Sequence, residues 1–162
     1  MAQNKTSPTR IDIKSKLRES MTALLNQQLA DTLDLYTQVK QAHWNVKGPN
    51  FIALHELFDK LAEDLEDPVD DIAERVTALG GIARGTARIA AQISRLAEFP
   101  HDRCEGLKAV ALLADRYAVL GASTRAAIDT AGKEGDADTA DLFTGVSRGL
   151  DKALWFLEAH LA

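Results

Sequence analysis

The sequence predicts an all-α fold, a four-helix bundle with a long crossover between its second and third helices. Apolar residues recur at three- and four-residue spacing through most of the 162 residues, the rhythm of amphipathic helices. No strand-like alternation of useful length and no internal repeat interrupts that rhythm. The ten glycines and four prolines are few enough to exclude a low-complexity chain, and several sit at the breaks between helical stretches.

The first helix runs over residues 17–46, through Leu17, Met21, Leu24, Leu25, Leu29, Leu33, Tyr36, Val39 and Val46. Lys47-Gly48-Pro49-Asn50 ends it, and Asn50 is placed to cap the next helix. That second helix covers residues 51–79, with Leu54, Phe58, Leu61, Leu65, Val69, Ile72, Val76 and Leu79 on its apolar stripe. Gly80-Gly81 terminates it. Residues 82–102 are less regular and read as the crossover, with room for one short helix. The third helix is expected over residues 103–131, through Leu107, Leu113, Tyr117, Leu120 and Ile128. The fourth starts near Asp138 and carries Phe143, Val146, Leu150, Leu154 and Leu157.

Residues 1–16 form a basic arm ahead of one bundle domain, residues 17–162. Across the first nineteen residues Lys5, Arg10, Lys14, Lys16 and Arg18 face only Asp12 and Glu19, although the whole chain carries a formal charge of −5. The acidic body repels nucleic acid, and a basic arm attracts phosphates without reading bases. No apolar run approaches the ~20 residues of a membrane span, and no export signal opens the chain, so a cytoplasmic location is expected. The lone Cys104 is read as an unpaired thiol in a reducing compartment.

The second helix carries more than a core stripe. On a wheel of about 100° per residue with Phe58 at zero, His55, Asp59, Asp70 and Glu74 fall near 60°, 100°, 120° and 160°. They make two i,i+4 pairs beside the apolar face. Each pair can chelate one metal ion, but the two cannot share it within one chain, because Asp59 and Asp70 lie about 16 Å apart along the axis. Two-fold antiparallel pairing with a second subunit resolves this and yields two identical sites, about 22 Å apart. Nine acids and one cation, Lys60, lie between Glu56 and Glu74, and a charge run of that kind is ordinarily a solvated face. Like charges at i,i+4 repel, and a bound cation reverses that penalty. Carboxylate with imidazole suits Fe(II), Mn(II) or Zn(II). His43, on the buried rhythm of the first helix, needs a partner whether it is a core residue or a ligand. His101 and His160 are read as surface residues.

The segments AHWNVKGPNFIALHELFD, DDIAERVTALGG and TADLFTGVSRGLDKALWFLEAHL resemble the Dps family of ferritin-like mini-ferritins. The resemblance implies a hollow homo-oligomer, a dodecamer of four-helix subunits. It further implies ferroxidase centres built from His43, His55 and Asp59 of one subunit with Asp70 and Glu74 of its partner. Iron is the metal implied; Fe(II) is oxidised by hydrogen peroxide or dioxygen, and Fe(III) is stored as mineral. DNA is the further partner, protected from oxidative damage or bound directly through the arm in a nucleoid-binding role. Trp44 matches the family's near-site tryptophan, as an electron donor or an interface packing residue; Trp155 is read as packing.

Two features qualify the likeness. Pro68 falls inside the second helix, where it either kinks the helix or restarts it with Asp67 as cap. Glu134, Asp136, Asp138 and Asp141 cluster at the start of the fourth helix, as caps or, in the family's shell, as the lining of an ion-entry pore.

Overall fold

The computed structural model describes residues 7–102 and 104–162 and leaves out the Cys104 side chain, so the expected thiol at Cys104 lies outside the described residues. The order is α1 (Ser15–Asn45), β1 (Val46–Lys47), α2 (Phe51–Ala78), α3 (Ala87–Ile93), β2 (Cys104–Glu105), α4 (Gly106–Glu134) and α5 (Ala137–Glu158). Four long helices and one short crossover helix surround a single apolar core drawn from all four long helices. None of the described helices is long and apolar enough to cross a membrane.

Several expectations shift in detail. Val46 leaves the first helix to pair in parallel with Cys104 in a two-residue bridge, a contact too short for any sequence periodicity. The third helix starts at Gly106 and ends at Glu134, about three residues later than its apolar pattern implies. Leu107, read as part of that pattern, is exposed. Asn50 does occupy the cap position of α2, but its side chain makes no capping bond. Pro68 neither stops nor restarts α2, which is helical from Phe51 to Ala78.

Helix ends follow the chemistry of their residues. Past α2, Gly80 has φ +83, and the Gly80 and Gly81 N–H groups donate to the carbonyls of Thr77 and Val76. That pair of bonds is a Schellman motif, which needs a left-handed residue and therefore favours glycine. A Cβ on Gly80 would also lie 2.5 Å from the carbonyl oxygen of Ser7, whose N–H donates to Gly80 O. The N-terminal arm is thus fastened where α2 ends. Arg18 completes the fastening by donating to the carbonyls of Ser7, Ile13 and Leu79. At the opposite end of the bundle, a Cβ on Gly106 would lie 2.5 Å from Leu54 Cδ1, so glycine lets the start of α4 close on the first turns of α2.

The irregular crossover is held by polar side chains of α1. Asn26 accepts from Arg84 N–H and donates to Ile82 O. Asp31, 1% exposed, accepts from the backbone N–H and the guanidinium of Arg95. Gln38 donates to Ala97 O, while Arg116 of α4 donates to Glu98 O. Backbone groups that a regular element would satisfy internally are met here by one face of α1.

The acids before α5 divide sharply. Asp136, 2% exposed, accepts from Thr139 N–H as an N-cap and from Arg75 of α2 at 2.8 Å. Asp138 and Asp141 are exposed. Asp136→Ala is expected to lower the unfolding free energy by about 2–3 kcal/mol, because it removes a cap and the 2.8 Å ion pair and leaves Arg75 only Thr139 Oγ1 and the more distant Asp138. Asp138→Ala should change it by less than about 0.5 kcal/mol. Denaturant titration of both variants checks the contrast, and equal losses would contradict it.

Candidate metal centre

The connection between α1 and α2 is only a few residues long, so the last turn of α1 faces the first turns of α2. His43 stands two residues before the end of α1, and His55 lies in the second turn of α2. Their rings stack with centroids 3.8 Å apart and planes at 20°. Each ring also bonds the other residue's backbone: His43 Nδ1 to His55 O at 2.8 Å, and His55 Nδ1 to His43 O at 2.9 Å. A carbonyl oxygen only accepts, so both Nδ1 atoms carry the proton. In the neutral form of either ring Nε2 is then the bare lone pair, the form in which imidazole binds a metal.

Asp59 joins them from the next turn of α2. Its Oδ1 is 3.7 Å from His43 Nε2, a separation that one ion with bonds of ~2.0–2.2 Å can bridge. Lys40, one turn before His43 on α1, holds the same Oδ1 at 2.7 Å. That hydrogen bond raises the Lys40 ammonium above its ordinary range and depresses the Asp59 carboxyl. The Lys40 ammonium therefore stands where a cation bound to Asp59 would have to come.

Asp70 and Glu74 stay apart from this group. Both are exposed on α2, beyond the unbroken turn at Pro68. No three His, Cys, Asp or Glu side chains are gathered to hold a metal ion among the described residues. One chain thus stacks His43 on His55 and sets Asp59 3.7 Å from His43 Nε2, short of a complete metal-holding group, and leaves Asp70 and Glu74 on the open surface.

The other histidines behave as surface groups: His101 is exposed, and His160 is exposed with Nδ1 bonded to Phe156 O. Trp44, beside His43, is 64% exposed, with Lys40 Nζ 6.0 Å from its ring centroid, so it packs little within its own chain. Sequence reading misses Lys40 and the reciprocal histidine clasp. The spacing of Lys40 and His43 at i,i+3 puts a cation on the histidine face, but the clasp depends on how closely two helices approach.

The tautomer assignment can be tested spectroscopically. With histidine labelled by nitrogen-15 and a pH above the imidazole range, His43 and His55 should each show a protonated Nδ1 and a bare Nε2 in solid-state spectra. Signals of Nε2–H tautomers at these two residues would contradict the clasp.

Comparison with known proteins places the chain in a family. The ferritin-like domain family model matches residues 22–162. The DNA protection during starvation protein of Agrobacterium fabrum is 43% identical over 97% of this chain and 97% of its own length. The corresponding protein of Brevibacillus brevis is 32% identical over 92% of this chain and 99% of its own. Among solved structures, DpsC from Streptomyces coelicolor superposes with a TM-score of 0.94 at 29% identity, covering 100% of this chain and 95% of that one. The Vibrio cholerae Dps structure, described as one of the ferritin-like diiron-carboxylate proteins, superposes at 0.90 with 25% identity, covering 99% of this chain and 100% of that one. The chain is a member of the Dps family of ferritin-like proteins.

Proposed function

We propose that the protein is a ferroxidase and iron store: it oxidises ferrous iron at centres shared between two subunits and keeps the ferric product inside a hollow homo-oligomer, a dodecamer of two-fold dimers. The observation that carries this reading is the pair of clasped imidazoles, His43 and His55, with both Nε2 lone pairs free and Asp59 alongside. In the proposed centre these three groups face Asp70 and Glu74 of the partner subunit.

The donor set suits the chemistry. Neutral imidazoles accept a ferrous substrate without adding charge, and the carboxylates stabilise Fe(III) over Fe(II). An incomplete coordination sphere leaves room for the oxidant. Two ferrous ions give one electron each to one hydrogen peroxide molecule. Its O–O bond breaks in a two-electron step, its oxygens leave as hydroxide or oxide on the ferric product, and no hydroxyl radical is released. Dioxygen is the alternative oxidant. Lys40 must let go of Asp59 as the ferrous ion enters, so the ammonium and the ion compete for one oxygen. Trp44 is close enough in sequence and open enough to donate an electron or to pack at the interface. Glu134, Asp138 and Asp141, exposed around the start of α5, are the acids left to line an entry pore, since Asp136 is committed to its cap.

Removing iron and peroxide together protects DNA, and the Agrobacterium fabrum and Brevibacillus brevis relatives carry that role in their names. A cytoplasmic, nucleoid-associated location goes with this reading. The second reading, direct DNA binding by residues 1–16, rests on the exposed Arg10, Lys14 and Lys16. Arg18 is withdrawn from that array by its bonds to Ser7, Ile13 and Leu79, and Lys5 lies outside the described residues. What remains is a short array with Asp12 and Glu19 nearby.

The shared centre is tested by complementation. A subunit carrying His55→Ala and Asp59→Ala should not oxidise iron by itself, nor should one carrying Asp70→Ala and Glu74→Ala. A mixed dimer regains about one intact centre of the two. Anaerobic ferrous loading followed by peroxide, monitored optically, reads the recovery. Verified mixed dimers as inactive as their parents would overturn the intersubunit arrangement.

A further inference from the structure

Away from the metal centre, α2 and α5 stand apart and leave an open cleft of about 500 Å³. Its floor is apolar, built by Leu61, Leu65, Leu142, Val146, Leu150 and the buried ring of Tyr117. A concave space of this size with an apolar floor and a charged rim is a common form of a small-molecule site. Two further features mark it. Gly145 and Gly149, one turn apart on α5, both line the cleft, and a Cβ at either would meet nothing within 4 Å. Glycine inside a helix is unfavourable relative to alanine, and here no close packing requires it. Pro68, also unfavourable within a helix, lines the opposite wall. Their common effect is to keep the walls low.

The rim is polarised. The Arg75–Asp136 ion pair fixes the antiparallel register of α2 and α5. Counting from it at about 1.5 Å per residue sets Asp71 roughly level with Asp141 at one end, and Asp64 with Arg148 nearer the other. Asp64 is already held by Lys60. Arg148 has no ion-pair partner among the described residues, and Lys152 lies beside the Phe156 ring, its Nζ 5.7 Å from the centroid. One end of the cleft therefore offers two cations at i,i+4, and the other offers the carboxylates of Asp71 and Asp141. Asp141 and Arg148 are about 10 Å apart along the helix, the reach of a medium-length alkyl chain or two fused rings.

We propose that this cleft binds a small amphiphile with one anionic head group. The apolar body lies on the leucine floor between Pro68 and the two glycines, and the head sits at Arg148 and Lys152. Asp71 and Asp141 repel an anionic head from the far end, so the ligand has one orientation. Charge-assisted hydrogen bonds from a guanidinium to a carboxylate or sulfonate supply the polar part of the affinity. No proposed iron ligand takes part, so the cleft and the metal centre can be tested separately.

The full-length assembled protein is titrated with 8-anilinonaphthalene-1-sulfonate, whose fluorescence reports entry into an apolar site, and the dye is then displaced by decanoate or by decan-1-ol. Decanoate should displace it at a roughly tenfold lower concentration than the alcohol, the difference that one charge-assisted bond supplies. Replacing both Arg148→Gln and Lys152→Gln should erase that advantage and leave the alcohol unchanged. Gly145→Leu with Gly149→Leu should abolish dye uptake while iron oxidation persists. Should that pair fail to assemble, Gly145→Ala with Gly149→Ala, favoured in a helix, should raise the melting temperature and weaken dye binding. The proposal is overturned by equal displacement by decanoate and decanol, by preferential displacement by decylamine, or by unchanged dye binding in the glycine variants. It is overturned equally if the dye enters only after the assembly dissociates, which would mean that a second copy of the chain covers the cleft.

Discussion

A helix is a ruler, and the spacing along α2 prevents one chain from completing the metal centre proposed for it. His55 and Asp59 lie at one end of α2 and Asp70 and Glu74 toward the other, with midpoints about 22 Å apart at 1.5 Å per residue. Only a bend could shorten that distance. Pro68 lies between the two pairs, where a break would be expected, yet α2 stays helical across it. Helical continuity keeps the two halves about 22 Å apart, so the proposed centre calls for a second subunit.

The rest of the fold keeps the nearer half in order. The Val46–Cys104 backbone pairing and the close approach allowed by Gly106 draw the ends of α1, α2 and α4 together around the two histidines. The reciprocal bonds to backbone carbonyls then fix both rings without using the nitrogen that faces outward. A clasp of this kind makes each histidine the orienting partner of the other. Lys40 balances the Asp59 charge from the preceding turn of α1, at 2.7 Å from Oδ1.

Much of this architecture is legible in the residues. The four long helices, the Gly-Pro connection, the double-glycine end of α2 and a short crossover helix all follow from periodicity and turn chemistry. The spacing of His55, Asp59, Asp70 and Glu74 alone suggests two candidate half-sites on one helix. Contacts between elements set the remainder, and periodicity does not carry them. The crossover reads as irregular because its backbone groups are satisfied by Asn26, Asp31 and Gln38 on α1, whose polar character resembles a solvated face. Leu107 keeps the apolar rhythm in the first turn of α4 without reaching the interior. Arg18 resembles one more cation of a basic arm, and the carbonyls that bury it come from Ser7, Ile13 and Leu79, too scattered along the chain for a pattern to reveal.

The most direct measurement is a crystal structure of the assembled protein soaked with cobalt(II), a redox-inert stand-in for the ferrous substrate, with the ion located by anomalous scattering. The account predicts density at the subunit boundary, bonded to His43 Nε2, His55 Nε2 and Asp59 on one side and facing Asp70 and Glu74 of the partner subunit on the other. Lys40 should be displaced from Asp59 in the same map. An ion bound wholly within one chain, or at the Asp138 and Asp141 cluster with the histidines empty, would contradict it.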